Sequence, residues 1–153
     1  TSVSRGLGDV YKRQAVSLKA MNQVADFSDA STTAAMVQWL AANEAGCLQP
    51  SPDNTEHCIF AIYATGQSAR YEPKGSKLRR AASEQLKAFL DAKVPKAREV
   101  TVVALSFVGG KADVEAIQAL ITRERDGAFT QGNSAELVSQ FQSVVSALSQ
   151  NQD

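Results

Sequence analysis

Three short segments of the chain combine residue types that carry out catalysis or phosphate binding in other proteins. The only histidine, His57, precedes Cys58, but neighbouring strand residues point to opposite faces, which disfavours a nucleophilic pair. The segment GQSAR at 66–70 lacks the second glycine of a G-x-S-x-G nucleophile elbow. The segment GGK at 109–111 is followed by Ala112, not by the Ser or Thr of a phosphate loop. Because no acid, base and nucleophile are matched, the sequence predicts a protein that is not an enzyme.

The stretch from Arg70 to Arg98 is basic, with nine Lys or Arg residues against three Asp or Glu residues. The whole chain balances 16 basic against 16 acidic residues, so no global charge draws it to nucleic acid or to an anionic membrane. The basic stretch could contact phosphates or an acidic partner, although a solvated helix face is the preferred interpretation. Tyr71 is the only aromatic residue near its loop end, and single-stranded nucleic acid needs more stacking surface. A basic nucleic-acid adaptor is therefore a third and disfavoured hypothesis.

The composition is that of an ordinary globular domain, with 44% hydrophobic and 21% charged residues. We predict a single domain over 15–149 with a short tail at 150–153. No stretch approaches the roughly 20 apolar residues that span a bilayer, and no signal peptide is recognised, so we expect a soluble protein of open localisation. Cys47 and Cys58 flank a polar loop at a spacing that allows a disulfide, but the composition favours free thiols.

The N-terminal segment has an unusual composition. Residues Ser4–Gln14, SRGLGDVYKRQ, resemble the translated remnant of a sequencing adapter at the end of a metagenomic reading frame. We therefore predict that residues 1–14 are not native and that the natural domain continues upstream, having lost its first strands here. The alternative is a genuine basic N-terminal arm.

Hydrophobic spacing predicts helices that alternate with short apolar strands. The predicted helices cover 15–25, the range from a cap at Asp29 or Ser31 to Gly46, the range from a cap at Ser76 to Pro95, 112–125, and the range from a capping box at Asn133 and Glu136 to Leu148. The predicted strands cover 58–64, 100–108 and 128–131. This alternation favours an α/β fold, a three-layer α/β/α sandwich around a mostly parallel sheet.

The predicted order of elements from Glu99 to Leu148 resembles the closing unit of a von Willebrand factor type A domain. In that family a β-branched strand ends in a glycine turn, a helix carries D-x-x-x-[IL]-x-x-[IL], and G-x-[FY] precedes an N/D-x-x-E-L helix. The matching residues are VTVVALSFVGG at 100–110, Asp113 with Ile117 and Leu120, Gly127 with Phe129, and Asn133 with Glu136 and Leu137. Upstream, IFAIYATGQS at 59–68 resembles the strand that ends in T-D-G-x-S, and ASTTAAMVQWL at 30–40 resembles a G-x-T turn that opens a helix.

The resemblance implies a metal-ion-dependent adhesion site at the carboxyl ends of the strands, where Mg²⁺ holds a carboxylate of a protein partner. Thr65 stands where the family has the aspartate of T-D-G, and Asp26–Ser31 only superficially matches D-x-S-x-S. Thr32 or Thr33 matches the threonine of the second loop. Neutral oxygens alone do not offset the dehydration of Mg²⁺, so we predict a degenerate site without tight metal binding. Magnesium would bind only if upstream sequence completed the site.

The leading functional hypothesis is a non-enzymatic protein–protein interaction module that uses loops at the strand ends. The residues predicted to bind the partner are Thr32, Thr33, Thr65, Gln67, Ser68 and Gly109. The alternative is a small α/β enzyme or nucleotide-binding domain that uses the same edge of the sheet. The identity of the partner stays open.

Overall fold

The computed structural model describes residues 30–129 and 134–150, and the secondary structure within these ranges consists of helices joined by loops, without a strand. The α-helices are α1 (Ala30–Ala42), α2 (Glu44–Leu48), α3 (Thr55–Ala69), α4 (Lys77–Lys87), α5 (Pro95–Val108), α6 (Lys111–Arg125) and α7 (Ser134–Gln150), and a 3₁₀ turn, Ala88–Asp91, follows α4. The predicted three-layer α/β/α fold with a parallel sheet is therefore wrong. The resemblance to a type A domain is wrong with it, because that domain needs a central sheet.

The strongest predicted strand, 100–108, lies in helix α5. Its β-branched residues favour a strand in isolation, but Pro95 occupies the first turn of the helix and Gly109 ends it with φ of 73°. The buried positions of α5 follow the helical period: Ala97, Arg98, Thr101, Val102, Ala104, Leu105 and Val108. A short apolar run does not distinguish a buried strand from a buried helix, and here burial on one side of a 14-residue helix decided the outcome.

The other long apolar run, 58–64, lies in helix α3 for a similar reason. The helix extends well beyond that run, from Thr55 to Ala69, and it includes Gly66, which lies past the end of the predicted strand. Cys58, Ala61 and Ile62 are buried at helical spacing. A run of this kind extends to a full helix when the residues beyond it also pack against neighbouring helices.

Several predicted helices are confirmed. Ser76 caps α4, because its Oγ accepts a hydrogen bond from the amide of Arg79 at 3.2 Å. Helix α6 matches the prediction over 112–125, and α7 buries Leu137 and Phe141 as expected. The predicted helix 15–25, residues 130–131 of the predicted strand and the capping residue Asn133 lie outside the described residues, whereas Ala128 and Phe129 form no strand.

Helix α5 is the centre of the bundle, and it packs against α3, α4, α6 and α7. Its most extensive contact is with α3, and the backbones of the two helices approach closely at Gly66 and Ala104. A Cβ atom on Gly66 would lie 2.6 Å from the Cα and Cβ atoms of Ala104. Glycine is therefore required at this crossing by the approach of the backbones and not by its own dihedral angles.

Gly66→Ala is expected to lower the free energy of unfolding by about 1–3 kcal/mol, because the added methyl group overlaps the backbone of α5. The better helix propensity of alanine, worth about 1 kcal/mol, offsets only part of this cost. Urea denaturation measures the change. Gly46→Ala is the matched control, since the nearest atom to a Cβ there lies 3.4 Å away. Equal stabilities of the two variants would contradict the close crossing.

A disulfide between Cys47 and Cys58 joins α2 to α3 and closes the polar loop between them. The composition favoured free thiols, and the structure corrects that preference. Both cysteines are buried in the core, so the bond is part of the packing between these helices. The loop is further ordered by Asn54, whose Oδ1 accepts a hydrogen bond from the amide of Ser51 at 2.7 Å.

An ion pair lies in the interior between α5 and α6. The Nε atom of Arg98 donates to Oε1 of Glu124 at 2.6 Å, and both side chains are almost fully buried. The same guanidinium donates to the carbonyl of Ala92 at 2.8 Å and lies 3.7 Å from the ring centroid of Phe129. This pair fixes how α5 and α6 lie against the end of the 3₁₀ turn.

Candidate functional site

A cleft of about 800 Å³ opens between α4 and the turn that connects α5 to α6. Three segments of the chain form it: the loop before α4, the exposed side of α4, and the start of α6. The residues that line it are Lys74, Gly75, Arg79, Arg80, Ser83, Glu84, Lys87, Val108, Gly109, Gly110, Lys111, Ala112 and Asp113. Five of these side chains are basic and two are acidic, so the cleft carries a local excess of three positive charges in a chain of zero net charge.

Arg79 holds the walls of the cleft together. Its Nη1 atom donates to the carbonyl of Arg70 at 3.0 Å and to that of Glu72 at 2.7 Å, and its Nη2 atom donates to the carbonyl of Val108 at 2.6 Å. A cation here is favourable because the carbonyls of Arg70 and Val108 lie at the C-terminal, partially negative ends of α3 and α5. The guanidinium of Arg79 is thus hydrogen-bonded to the backbone within the fold, and its role in the cleft is to position the other residues.

The floor of the cleft contains a buried carboxylate, that of Asp113. One of its oxygens accepts a hydrogen bond from the hydroxyl of Ser83, and the other accepts from the amide of Gly110 at 2.8 Å. These bonds tie α4 to the first turn of α6 and fix the shape of the turn. Because both oxygens are engaged beneath the surface, Asp113 is a structural anchor of the cleft and not an exposed acid.

The remaining charges of the cleft lie at its surface. Lys87 is paired with Glu84 at 2.9 Å. Lys74, Arg80 and Lys111 are exposed, and no carboxylate of the described chain forms an ion pair with them. The cleft therefore presents three cations, from three different segments, whose charge is not neutralised by the described fold.

The six residues predicted to bind a partner are dispersed among the helices. Thr33, Thr65, Gln67 and Ser68 are buried, Thr32 is half-buried on α1, and Gly109 lines the cleft. The fold brings two of them together, because the hydroxyls of Thr33 and Ser68 are hydrogen-bonded between α1 and α3.

Two of the other predicted residues have polar atoms directed into the helix packing. The hydroxyl of Thr65 donates to the carbonyl of Ala61 at 2.7 Å, which occupies it within α3. The Oε1 atom of Gln67 is buried and has no hydrogen-bond partner within the described part of the chain. Four of the six predicted positions thus lie between helices, and Gly109 alone lies at the cleft.

Sequence patterns had indicated part of the cleft, although none of its residues except Gly109 was predicted to bind a partner. The excess of Lys and Arg in 70–98 includes Lys74, Arg79, Arg80 and Lys87, and GGK at 109–111 had been considered as a phosphate loop. No local pattern indicated that these two segments line the same cleft. That proximity follows from the packing of α4 beside the α5–α6 turn.

Neither a metal centre nor a membrane-spanning element is found among residues 30–129 and 134–150. No group of three His, Cys, Asp or Glu side chains there is arranged to hold a metal ion. None of the helices in those ranges combines the length and apolar character needed to cross a membrane.

Comparison with known proteins yields no match for this chain. No protein-family model, no curated protein and no solved structure matches it.

Proposed function

We propose that this chain is a non-enzymatic protein-interaction domain that binds an acidic segment of a partner protein in the cleft between α4 and the α5–α6 turn. The observation that carries the proposal is the set of three exposed cations, Lys74, Arg80 and Lys111, that line one cleft without an ion-pair partner in the described chain. Cations that converge on a concave surface focus the electrostatic potential there and attract anionic groups.

The size of the cleft supports a ligand larger than a single ion. About 800 Å³ falls within the range of sites that enclose small molecules or several side chains of a peptide. Its walls are rigid, because Arg79 and Asp113 each bridge two segments of the fold. A preformed site loses little conformational entropy when its ligand binds.

The lining also favours an acidic protein over a nucleic acid. None of the residues that line the cleft is aromatic, whereas single-stranded nucleic acids are bound by stacking bases on aromatic rings. Tyr71, the exposed aromatic residue nearest in sequence, is not part of the lining. Binding through carboxylates needs only the cations that are present.

The test is the affinity of a fluorescein-labelled poly-glutamate peptide, measured by fluorescence anisotropy. Arg80→Glu and Lys111→Glu are each expected to weaken binding by at least about tenfold, because each places a like charge opposite the ligand. Binding to the unaltered protein is expected to weaken as salt is added, since the contacts lie at the surface.

Lys77→Glu is the matched control, because Lys77 is an exposed residue of the same helix that does not line the cleft. It makes the same change in net charge and is expected to weaken binding clearly less than Arg80→Glu does, because its side chain does not line the cleft. Equal losses for Lys77→Glu and Arg80→Glu would show attraction by net charge alone and would contradict the proposed site. Tighter binding of single-stranded DNA than of the peptide would replace the proposal with a nucleic-acid function.

A further inference from the structure

The amount of uncompensated charge in the cleft points to a particular anion. Glu84 is paired with Lys87, and the charge of Asp113 is engaged in the floor, which leaves the exposed charges of Lys74, Arg80 and Lys111. We infer that the cleft recognises a phosphorylated side chain within the acidic segment of the partner. This inference rests on the proposed function and adds the chemical class of the group that gives specificity.

A carboxylate compensates only part of this charge. It carries one negative charge on two oxygens, whereas a phosphate monoester carries about −1.5 to −2 at neutral pH on three acceptor oxygens. Three cations that line one cleft from separate segments are therefore better matched to a phosphate than to a single carboxylate. Among them, Arg80 supplies a planar fork of donors that suits a phosphate group.

The surroundings of the cations add to the same preference. Helix α6 begins at Lys111 in the cleft, where the carboxylate of Asp113 already caps the amide of Gly110, so the positive potential comes from the exposed cations. Gly109 and Gly110 have no side chains to obstruct the approach of a bulky tetrahedral anion to this turn. Arg79 cannot turn toward the ligand without giving up three carbonyls, so it supports the site and does not compete for the phosphate.

The experiment compares three versions of one glutamate-rich peptide, which carry phosphoserine, glutamate or serine at the central position. We expect the phosphoserine peptide to bind at least about tenfold more tightly than the glutamate peptide, because hydrogen bonds to the more highly charged group are stronger. Arg80→Gln and Lys111→Gln are each expected to bring the ratio of the two affinities toward one. Lys77→Gln, outside the cleft, is expected to leave that ratio unchanged.

The outcomes separate this inference from the proposed function. If the phosphoserine and glutamate peptides bind equally, the phosphate preference is wrong while the proposed acidic-segment function stands. If neither binds, both fail. If inorganic phosphate displaces the phosphopeptide at a concentration comparable to that of the peptide itself, the site recognises free phosphate, and the assignment to a peptide-borne group is overturned.

Discussion

Arg98→Met is expected to lower the free energy of unfolding by about 3–5 kcal/mol, the largest effect of any single substitution considered for this protein. The substitution leaves the carboxylate of Glu124 buried without its cation, and Oε2 of that carboxylate already has no hydrogen-bond partner within the described chain. The variant also loses the hydrogen bond to Ala92 and the contact with the ring of Phe129. Chemical denaturation followed by circular dichroism measures the change.

Arg123→Met is the matched control, for which only a small change in the free energy of unfolding is expected. Arg123, on α6, forms an ion pair with Asp91 of the 3₁₀ turn, but Asp91 is 59% exposed and Arg123 itself is 39% exposed. Exposed pairs contribute about 0–1 kcal/mol, so this variant is expected to be close to the unaltered protein.

Replacing both members of the buried pair tests the cause of the instability. The double variant Arg98→Met, Glu124→Leu removes both charges and is expected to recover most of the loss, because apolar residues of similar volume avoid the cost of a buried charge. A double variant as unstable as Arg98→Met alone would show that the lost packing and backbone hydrogen bonds, and not the stranded carboxylate, destabilise the protein.

The second large effect is expected from the disulfide. Replacing Cys47 and Cys58 with alanine is expected to cost about 3 kcal/mol, because the bond limits the conformations of the unfolded chain. The sequence separation of 11 makes this a short loop, for which the chain-entropy effect is already of this size. Thermal and urea denaturation of the oxidised protein and the double variant measure the difference.

A reductant supplies the control for this prediction. Unfolding in the presence of dithiothreitol should bring the unaltered protein to the stability of the double variant, while the variant itself should not respond. Because both cysteines are buried, we further expect the native protein to be reduced slowly without denaturant. Equal stability of the oxidised protein and the variant would contradict a stabilising role of the bond.

The arrangement of the cleft explains how a chain of zero net charge can present a cationic site. The basic residues of 70–98 are not spread evenly over the fold, because Arg79 is drawn to the ends of α3 and α5 and orders the wall beside Arg80. The hydrogen bond between Ser83 and Asp113 then brings the α5–α6 turn, with Lys111, to the same opening. Charge balance over the whole sequence therefore says little about the field at one surface.

The sequence predicted the helices that carry their own start and stop signals. The Ser76 cap, the apolar spacing of Ile117 and Leu120 and the period of α7 were sufficient for α4, α6 and α7, because capping and amphipathicity act within a few residues. The sequence also showed that 70–98 is basic, since charge is a property of composition.

It did not determine the nature of the two most apolar runs. Both 58–64 and 100–108 are compatible with a buried strand, and we predicted strands. Their helical state depends on the mutual packing of α3 and α5, in which Gly66 allows the backbone of Ala104 to approach. The error in the fold class, and with it the resemblance to a type A domain, followed chiefly from these two runs.

What the sequence by itself determined is therefore local: caps, amphipathic periods and the charge of each segment. The tertiary structure decided whether the apolar runs are helices, whether Cys47 and Cys58 are joined, and that Lys74, Arg80 and Lys111 share one cleft. The physical reason is that the helix–helix crossings and the hydrogen bonds from Arg79 to Val108 and from Ser83 to Asp113 connect residues far apart in the chain, while the disulfide depends on how α2 packs against α3. Their energies depend on distances in space that local propensity does not specify.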